Sequence, residues 1–224
     1  MIRMSILAAA CVLLPVGAQA QLSTPTDWTW RQDAPAPLAA GATATPGSWV
    51  FVQMPPGWHV TTGPGVLLFP TTNADVAGSF SIEAEIFLFP GESAEEYGVF
   101  LGGKDIDGSS PHYTTFVVRR DGHAAILQRR GTETMAAAGW RPREAIVRPD
   151  AQAGGKDPIK TIIRVDVSST TATMSVNGSE VASVPRQSVG VDGQFGFRVG
   201  KDMNLHISTL NVTRRLAPTP IKKD

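Results

Sequence analysis

The sequence predicts an all-β protein in which two antiparallel sheets, of about a dozen strands in total, stack as a sandwich around one core. Apolar and polar residues alternate with period 2 from Trp49 onward, and turn-forming residues recur about every 8 to 12 positions. Apolar residues at helical spacing never extend beyond about two turns. A chain of 224 residues buries roughly 70% of its unfolded surface, so it sustains such a core without disulfides.

The predicted strands follow one another closely along the chain. They are Trp49–Gln53, Trp58–Thr61, Val66–Phe69, Ser79–Phe89, Gly98–Gly102, His112–Arg120, Ala124–Arg130, Ile159–Ser168, Thr171–Asn177, Glu180–Val184, Gln194–Val199 and Asn204–Val212. Ile163 and Val165 share one side of their strand, while Arg164 and Asp166 share the other. This alternation predicts one buried and one solvated face for each sheet.

Two dipeptides predict tight hairpins between consecutive strands. Asp121-Gly122 and Asn177-Gly178 each stand between two alternating segments. Both dipeptides tolerate the positive φ that a type I′ turn requires. We therefore expect the strands on either side of each dipeptide to pair with each other.

The first 20 residues have the anatomy of an export signal. Arg3 is followed by the apolar run Ile6–Val16 and by the small-residue site Ala18-Gln19-Ala20, which predicts cleavage before Gln21. The run is too short to span a bilayer. The sequence therefore predicts an exported protein, periplasmic or extracellular, without a membrane span.

Residues 21–48 form a leader rich in Pro, Ala, Thr and Gly, which cannot bury much apolar surface. Trp28 and Trp30 interrupt it at period 2. They predict a short strand or a patch that docks on the main domain, with packing as the expected role and a ligand platform as the alternative. Residues 216–224 form a polar C-terminal tail.

Composition excludes several classes of function. Twenty basic side chains balance 20 acidic ones, which is not the charge distribution of a nucleic-acid binder. Cleavage before Gln21 also removes Cys11, the single cysteine, and with it disulfide and thiolate chemistry. A lipoprotein would need Cys11 to be lipidated, but Ala8-Ala9-Ala10 precede it and further apolar residues follow it, which favours simple cleavage.

Several motifs occur in an order that characterises a fold family. They are Trp58-His59-Val60, Gly65-Val66-Leu67, Gly78–Phe87, Tyr113–Gly122, Val176-Asn177-Gly178 and Gly193–Val199. Over about residues 49–215 this order resembles the concanavalin A-like lectin and glucanase superfamily, and within it laminin G-like modules and bacterial 3-keto-disaccharide hydrolase domains. The resemblance implies a jelly roll of two curved sheets whose concave face or rim holds sugar. Such motifs specify a fold more than an activity.

Glu83 and Glu85 are the candidate catalytic residues. The retaining β-glucanases of this superfamily carry Glu-x-Asp-x-x-Glu along one strand, and here Glu83 and Glu85 occupy the first two positions but Leu88 the third. A retaining glycosidase holds two carboxyl groups about 5 to 5.5 Å apart. Residues two apart on one strand lie about 6.5 to 7 Å apart. Without the third carboxyl the family mechanism does not transfer, and a solvated strand face is the alternative role.

Metal binding has little support in the sequence. Asp105 and Asp107 lie in one loop with Ser109 and offer the oxygen ligands that calcium prefers. Several jelly rolls of the superfamily that this sequence resembles bind calcium. The alternative is that these residues only form a turn, since Asp and Gly are common turn formers. The histidines show no spacing typical of a zinc site. They are His59, His112, His123 and His206. No other cofactor is predicted.

The candidate ligand-binding residues are Tyr113, Arg119, Arg129 and Trp140. A sugar site on a sheet needs an aromatic ring for the apolar side of the pyranose and forked donors for its hydroxyls. Tyr113 and Arg119 share one face of a predicted strand, and Arg129 faces the same way on the next. Trp140 falls in 131–158, predicted as a long connection that carries specificity. The alternative is that Trp140 caps the core and the arginines solubilise the convex face.

Two classes of function remain open at this stage. The first is an exported module that binds carbohydrate or a cell-surface glycan and has no catalytic machinery of its own. It predicts exposed aromatic rings on a sheet. The second is a glycan-processing hydrolase of the 3-keto-disaccharide type. It predicts a cleft that holds a buried carboxyl, for which Glu85 is the first candidate.

Overall fold

The structure is a computed structural model that describes residues 23, 25–33, 49–149 and 156–215. The predicted export signal 1–20, most of the leader 21–48 and the tail 216–224 lie outside the described residues.

Fifteen strands and one short 3₁₀ helix, Arg186–Ser188, make up the regular structure of the described residues. The strands are β1 (Trp28–Gln32), β2 (Val50–Gln53), β3 (Trp58–Thr61), β4 (Val66–Pro70), β5 (Asp75–Val76), β6 (Phe80–Leu88), β7 (Glu96–Lys104), β8 (His112–Arg119), β9 (His123–Arg130), β10 (Glu133–Pro142), β11 (Ile159–Val167), β12 (Thr171–Val176), β13 (Ser179–Pro185), β14 (Gly193–Val199) and β15 (Asn204–Arg214).

The strands form two antiparallel sheets. The eight-stranded sheet has the order β1-β4-β14-β7-β8-β9-β10, with β5 paired to β14, and the seven-stranded sheet has the order β13-β12-β11-β6-β15-β3-β2. Neighbouring strands run antiparallel throughout. The predicted two-sheet β-sandwich is confirmed.

One core fills the space between the sheets. In β11 the side chains of Ile163 and Val165 are fully buried, whereas Arg164 and Asp166 remain partly exposed. Phe116 from the larger sheet belongs to the same core. Burying each large apolar side chain contributes about 1.5 to 3 kcal/mol. The predicted alternation of buried and solvated positions is confirmed for this strand.

Strand β1 extends the sandwich beyond the predicted start at residue 49. It pairs with β4, with Trp30 opposite Leu68. The ring of Trp28 stacks on Phe197 with centroids 5.4 Å apart, and Trp30 contacts Trp49 at 4.4 Å. Of the two roles considered for these indoles, packing against the core is the one that the structure shows.

Strand β10 corrects the prediction of one long connection over 131–158. Residues 133–142 pair with β9, and the register shifts after Ala136 and again after Ala138. This strand is mostly exposed and rich in alanine, so it lacks the β-branched alternation that marks a strand in sequence. The two irregularities let the pairing continue through a segment whose pattern does not predict it.

Both predicted hairpins are present, but the turn type at Asp121-Gly122 was predicted wrongly. Asn177 and Gly178 have φ of 50° and 83°, as a type I′ turn requires. At the other hairpin Gly122 has φ of 87°, while Asp121 is not among the residues with positive φ. The Gly122 amide donates to the Arg119 carbonyl at 3.1 Å. This is a three-residue connection that ends on a left-handed glycine, which closes a hairpin equally well.

Candidate functional site

The outward face of the eight-stranded sheet is the side turned away from the core. In β14, Phe197 and Val199 point into the core, so Arg198 between them points outward. In β8, Phe116 belongs to the core while Tyr113 belongs to a separate outer cluster. Alternation along each strand therefore produces a second, largely polar surface on this sheet.

One part of this outward face is apolar and closed. The outer cluster consists of Leu67, Phe69, Phe100, Ile106 and Tyr113, all of them buried. Ile106 comes from the loop between β7 and β8 and covers the rings. Phe100 meets Tyr113 edge to face at 5.7 Å. This cluster fixes the position of Tyr113 at the border between the apolar and the polar part.

The polar part is an open cavity of about 670 Å³. Its wall combines strands β7, β8, β9 and β14 with the end of β1, the start of β10 and the loops that join β3 to β4 and β14 to β15. The lining residues are Gln32, Asp33, Gly63, Pro64, Gly65, Glu95, Glu96, Tyr113, Thr115, Leu127, Arg129, Thr134, Arg198, Lys201 and Asp202. The volume lies within the range of about 300 to 1,000 Å³ that is typical of small-molecule sites.

Asp33 and Arg198 form the most buried ion pair of the described residues. Arg198 Nε donates to Asp33 Oδ2 at 2.6 Å, and the two side chains are only 10% and 11% exposed. The other carboxylate oxygen of Asp33 accepts a hydrogen bond of 2.6 Å from the Tyr113 hydroxyl. Burial, followed by the Asp33 carboxylate, raises the pKa of Tyr113 well above its ordinary value. Tyr113 is therefore a fixed hydrogen-bond donor over the whole physiological range.

A second chain of contacts extends from Arg198 towards β10. Arg198 Nη2 lies 3.5 Å from Glu96 Oε1, and Glu96 Oε2 lies 3.9 Å from Arg119. The guanidinium of Arg119 lies 3.7 Å from the centre of the Trp140 ring, which is a cation–π contact. Six side chains, from β7, β8, β10, β14 and the end of β1, are thus tied into one network beside the cavity.

Arg129 on β9 also lines the cavity. It lies directly opposite Tyr113 in the pairing of β8 with β9. Its Nε donates to the Gly131 carbonyl at 2.6 Å, and its Nη1 donates to Thr134 Oγ1 at 3.1 Å. These bonds hold the guanidinium in place above the sheet.

The four predicted ligand-binding residues lie on one face but not in one wall. Tyr113 and Arg129 line the cavity. Arg119 and Trp140 do not line it: Arg119 contacts Glu96, and the Trp140 ring packs on the guanidinium of Arg119. Because β10 is a strand, Trp140 is part of the sheet rather than of a loop. One side of its ring is already occupied by the guanidinium.

Three residues of the network were not predicted as site residues. Asp33 falls in the leader segment, Glu96 lies before the predicted start of its strand, and Arg198 belongs to a motif used only to recognise the fold. The alternation of Arg198 with Phe197 and Val199 does signal an arginine on the outward face. Asp33 and Glu96 carry no such signal.

Glu83 and Glu85 lie on the opposite side of the sandwich from the cavity. They project from β6 on the outward face of the seven-stranded sheet, where Glu83 pairs with Arg164 at 3.3 Å and Glu85 pairs with Lys160 at 2.5 Å. Leu88, at the third motif position, is buried in the core. This arrangement corresponds to the strand-face alternative considered for the two carboxylates.

The loop of Asp105 and Asp107 is organised as a turn. The Asp105 carboxylate accepts a hydrogen bond of 2.9 Å from the Ser110 amide. Arg31 donates to the Ile106 carbonyl and, at 3.1 Å, to the Gly108 carbonyl. Two carbonyl oxygens of this loop thus already accept hydrogen bonds from a guanidinium. Within the described ranges, no group of three or more His, Cys, Asp or Glu side chains is placed to hold a metal ion.

Two histidines that are far apart in sequence are neighbours in the seven-stranded sheet. His59 on β3 lies directly opposite His206 on β15. Burial, and then the proximity of His206, lowers the pKa of His59. His206 Nε2 lies 2.9 Å from the Pro56 carbonyl. Spacing along the chain does not show this pair.

The described residues contain no helical segment with the length and hydropathy needed to cross a bilayer.

Comparison with known proteins identifies the fold. No family model and no curated protein sequence matches the chain. A carbohydrate-binding module, CBM66 from Bacillus subtilis, superposes with a TM-score of 0.59 at 12% identity, covering 84% of this chain and 96% of the module. A functionally unknown protein from Saccharomyces cerevisiae gives 0.53 at 13% identity, covering 87% of this chain and all of that one (100%).

A third solved structure has the same architecture. It is a protein of unknown function with a galectin-like fold from Bacillus subtilis, with a TM-score of 0.52 at 12% identity and coverage of 84% and 89%. Identities this low show the fold alone. The two antiparallel sheets, together with these similar structures, establish that the chain has the concanavalin A-like jelly-roll fold.

Proposed function

We propose that the cavity on the outward face of the eight-stranded sheet binds a carbohydrate, and that the protein is an exported binding module. The observation that carries the proposal is the network of Asp33, Tyr113, Glu96 and Arg198 in the wall of a cavity of about 670 Å³. The predicted export signal 1–20 supports the proposed localisation.

The chemistry of the wall suits a polyol. Sugar hydroxyls both donate and accept hydrogen bonds, and here Glu96 supplies an acceptor while Arg129 and Thr134 supply donors. Ion pairs and hydrogen bonds already hold these side chains in place. Binding a ligand therefore costs little conformational entropy of these side chains. Leu127 adds apolar surface for the carbon-bound face of a pyranose ring. Tyr113 is only 5% exposed, so its ring is not the exposed aromatic ring that the sequence predicts for a binding module.

The fold supports the same assignment. The structure named as a carbohydrate-binding module superposes on 84% of this chain. A fold of this kind hosts many activities, so the proposal depends on the cavity and not on the likeness alone.

The binding reading is favoured over the hydrolase reading because of where the carboxylates lie. Glu83 and Glu85, the predicted catalytic pair, face away from the cavity and are engaged by Arg164 and Lys160. A hydrolase would need reacting carboxyl groups beside the bound sugar. The cavity does contain carboxylates, but Asp33 and Glu96 are paired with Arg198.

A glycan array combined with a reducing-sugar assay on the full chain tests the proposal. We expect binding to at least one glycan without release of reducing ends. Arg129→Gln should weaken that binding by about tenfold or more, because it removes a charged donor from the wall. Arg164→Gln is the matched control, since it removes an arginine from the opposite face. Equal effects of both variants, or no binding to any glycan, would refute the proposal.

A further inference from the structure

The end of β1 contributes to the cavity although β1 itself is anchored on the core side of the sheet. Trp28 and Trp30 pack against the core. Asp33 follows β1 directly, and its amide donates to the Gly65 carbonyl at 2.8 Å. The indoles therefore fix the strand, and the fixed strand places the Asp33 carboxylate in the cavity wall.

Asp33 and Glu96 both form ion pairs with Arg198. Nε donates to Asp33 at 2.6 Å, Nη2 lies 3.5 Å from Glu96, and Nη1 donates to the Val199 carbonyl at 2.6 Å. Each nitrogen of the guanidinium has a partner within the protein. An anionic group of a ligand thus meets an arginine whose charge is balanced by two carboxylates and whose three nitrogens each already have a partner.

The charged residues of the lining do not give the cavity a net positive charge. The acidic lining residues are Asp33, Glu95, Glu96 and Asp202, and the basic ones are Arg129, Arg198 and Lys201. Lys201 lies 3.6 Å from Asp202, so its charge is also balanced locally. Charges in a partly enclosed cavity act on a ligand more strongly than charges in bulk water.

From these contacts we infer that Asp33 is a specificity-determining residue that sets the cavity for uncharged saccharides and against uronic-acid or sulfated ones. The inference rests on the proposed function and narrows its ligand class. Asp33 acts through Arg198: while the carboxylate is present the guanidinium is neutralised, and when it is absent the guanidinium is available to an anion. Glu96 acts in the same direction from within the sheet.

The test compares a neutral oligosaccharide selected on the array with its uronate counterpart, in which one hydroxymethyl group is replaced by a carboxylate. The wild type should prefer the neutral form. Asp33→Asn should shift the ratio of the two affinities towards the uronate by about tenfold, because one negative charge leaves the wall. Glu96→Gln should shift it in the same direction. A residue that only stabilised the fold would weaken both ligands alike.

Asp202→Asn is the matched control, because it removes a lining carboxylate that faces Lys201 and not Arg198. It should shift the ratio less than either of the other variants. If Asp33→Asn does not fold, Glu96→Gln decides the question. A wild type that prefers the uronate, or variants that leave the ratio unchanged, would overturn the specificity role while the binding proposal stands. Binding of neither form would overturn both.

Discussion

The outward faces of the two sheets carry similar side chains in different surroundings. On the seven-stranded sheet, Glu83 and Arg164 are each 39% exposed. On the eight-stranded sheet, Asp33 and Arg198 are 11% and 10% exposed, and a tyrosine hydroxyl bonds the same carboxylate. One face is a solvated strand surface, and the other holds a partly buried network around a cavity.

This difference shows why residue type alone does not identify a site. Exposed ion pairs contribute about 0 to 1 kcal/mol, since water competes for both partners. A buried pair costs desolvation and is retained only where its geometry is well satisfied. The Asp33–Arg198 pair is well satisfied, and it lies where a ligand has room to bind. The pairs of Glu83 and Glu85 are more exposed and do not line the cavity.

Arg198→Ala should have the largest effect. It removes the central cation and leaves Asp33 and Glu96 partly buried without their shared partner, so we expect a loss of about 3 to 5 kcal/mol in the free energy of unfolding. Carbohydrate binding should be lost as well. Denaturant unfolding measures the first and a saccharide titration the second. Arg164→Ala on the other face is the control, and an equal loss of stability there would remove the contrast between the two faces.

Trp28→Ala should have the next largest effect. Its ring packs on Phe197 and Trp58, with centroids 5.4 and 4.9 Å away. Removing a partly buried indole should lower the free energy of unfolding by about 2 to 4 kcal/mol. Because Trp28 anchors the strand that carries Asp33, ligand affinity should fall although Trp28 does not line the cavity. Thermal unfolding and titration check both effects. Unchanged affinity in a folded variant would show that Asp33 is positioned without this anchor.

Tyr113→Phe should have an intermediate effect. We expect it to lower the free energy of unfolding by about 1 to 2 kcal/mol, because Asp33 loses a hydrogen-bond donor in a partly buried site. The pH dependence follows from the raised pKa of Tyr113. Stability from a raised phenol pKa is fully present below the unfolded value of about 10 and is lost as pH rises beyond it. The variant should therefore lose less stability than the wild type between neutral and strongly alkaline pH. Denaturant unfolding at each pH measures this difference. If the free energy of unfolding fell equally with pH in the wild type and the variant, the expectation would be contradicted.

Glu85→Gln should have the smallest effect. Its partner Lys160 is 50% exposed, so we expect a change of less than about 0.5 kcal/mol in stability and no more than about a twofold change in affinity. The reducing-sugar assay supplies a stricter check. Glycan cleavage by the wild type that disappears in this variant would make Glu85 a catalyst and move the functional site to the seven-stranded sheet.

The sandwich was largely predictable because alternation reports burial directly. The pattern of Ile163, Arg164 and Val165 gave the correct faces of β11, and Asn177-Gly178 gave the correct turn. Strand β10 was missed since most of it is exposed and its run of three alanines, residues 136–138, is not β-branched, so neither a buried face nor β-branching marks it. A strand held mainly by pairing with its neighbour leaves little trace in the sequence.

The site was only partly predictable because its network joins residues far apart in the chain. Tyr113 and Arg129 line the cavity, and the sequence named them as candidates because they face outward on neighbouring predicted strands. Asp33 lies 165 positions before Arg198 in the printed numbering, and only the pairing of β1 with β4 brings the two together. Glu83 and Glu85 were chosen for resembling a catalytic motif, and they face the other way.

Mapping the bound saccharide by NMR tests the central claim most directly. In a titration of the isotope-labelled full chain with the best glycan from the array, we expect saturable shifts at Tyr113, Arg129 and Arg198 and none at Glu83 or Glu85. Saturable shifts confined to the seven-stranded sheet would contradict the account, because they would place the binding surface on the opposite side of the sandwich.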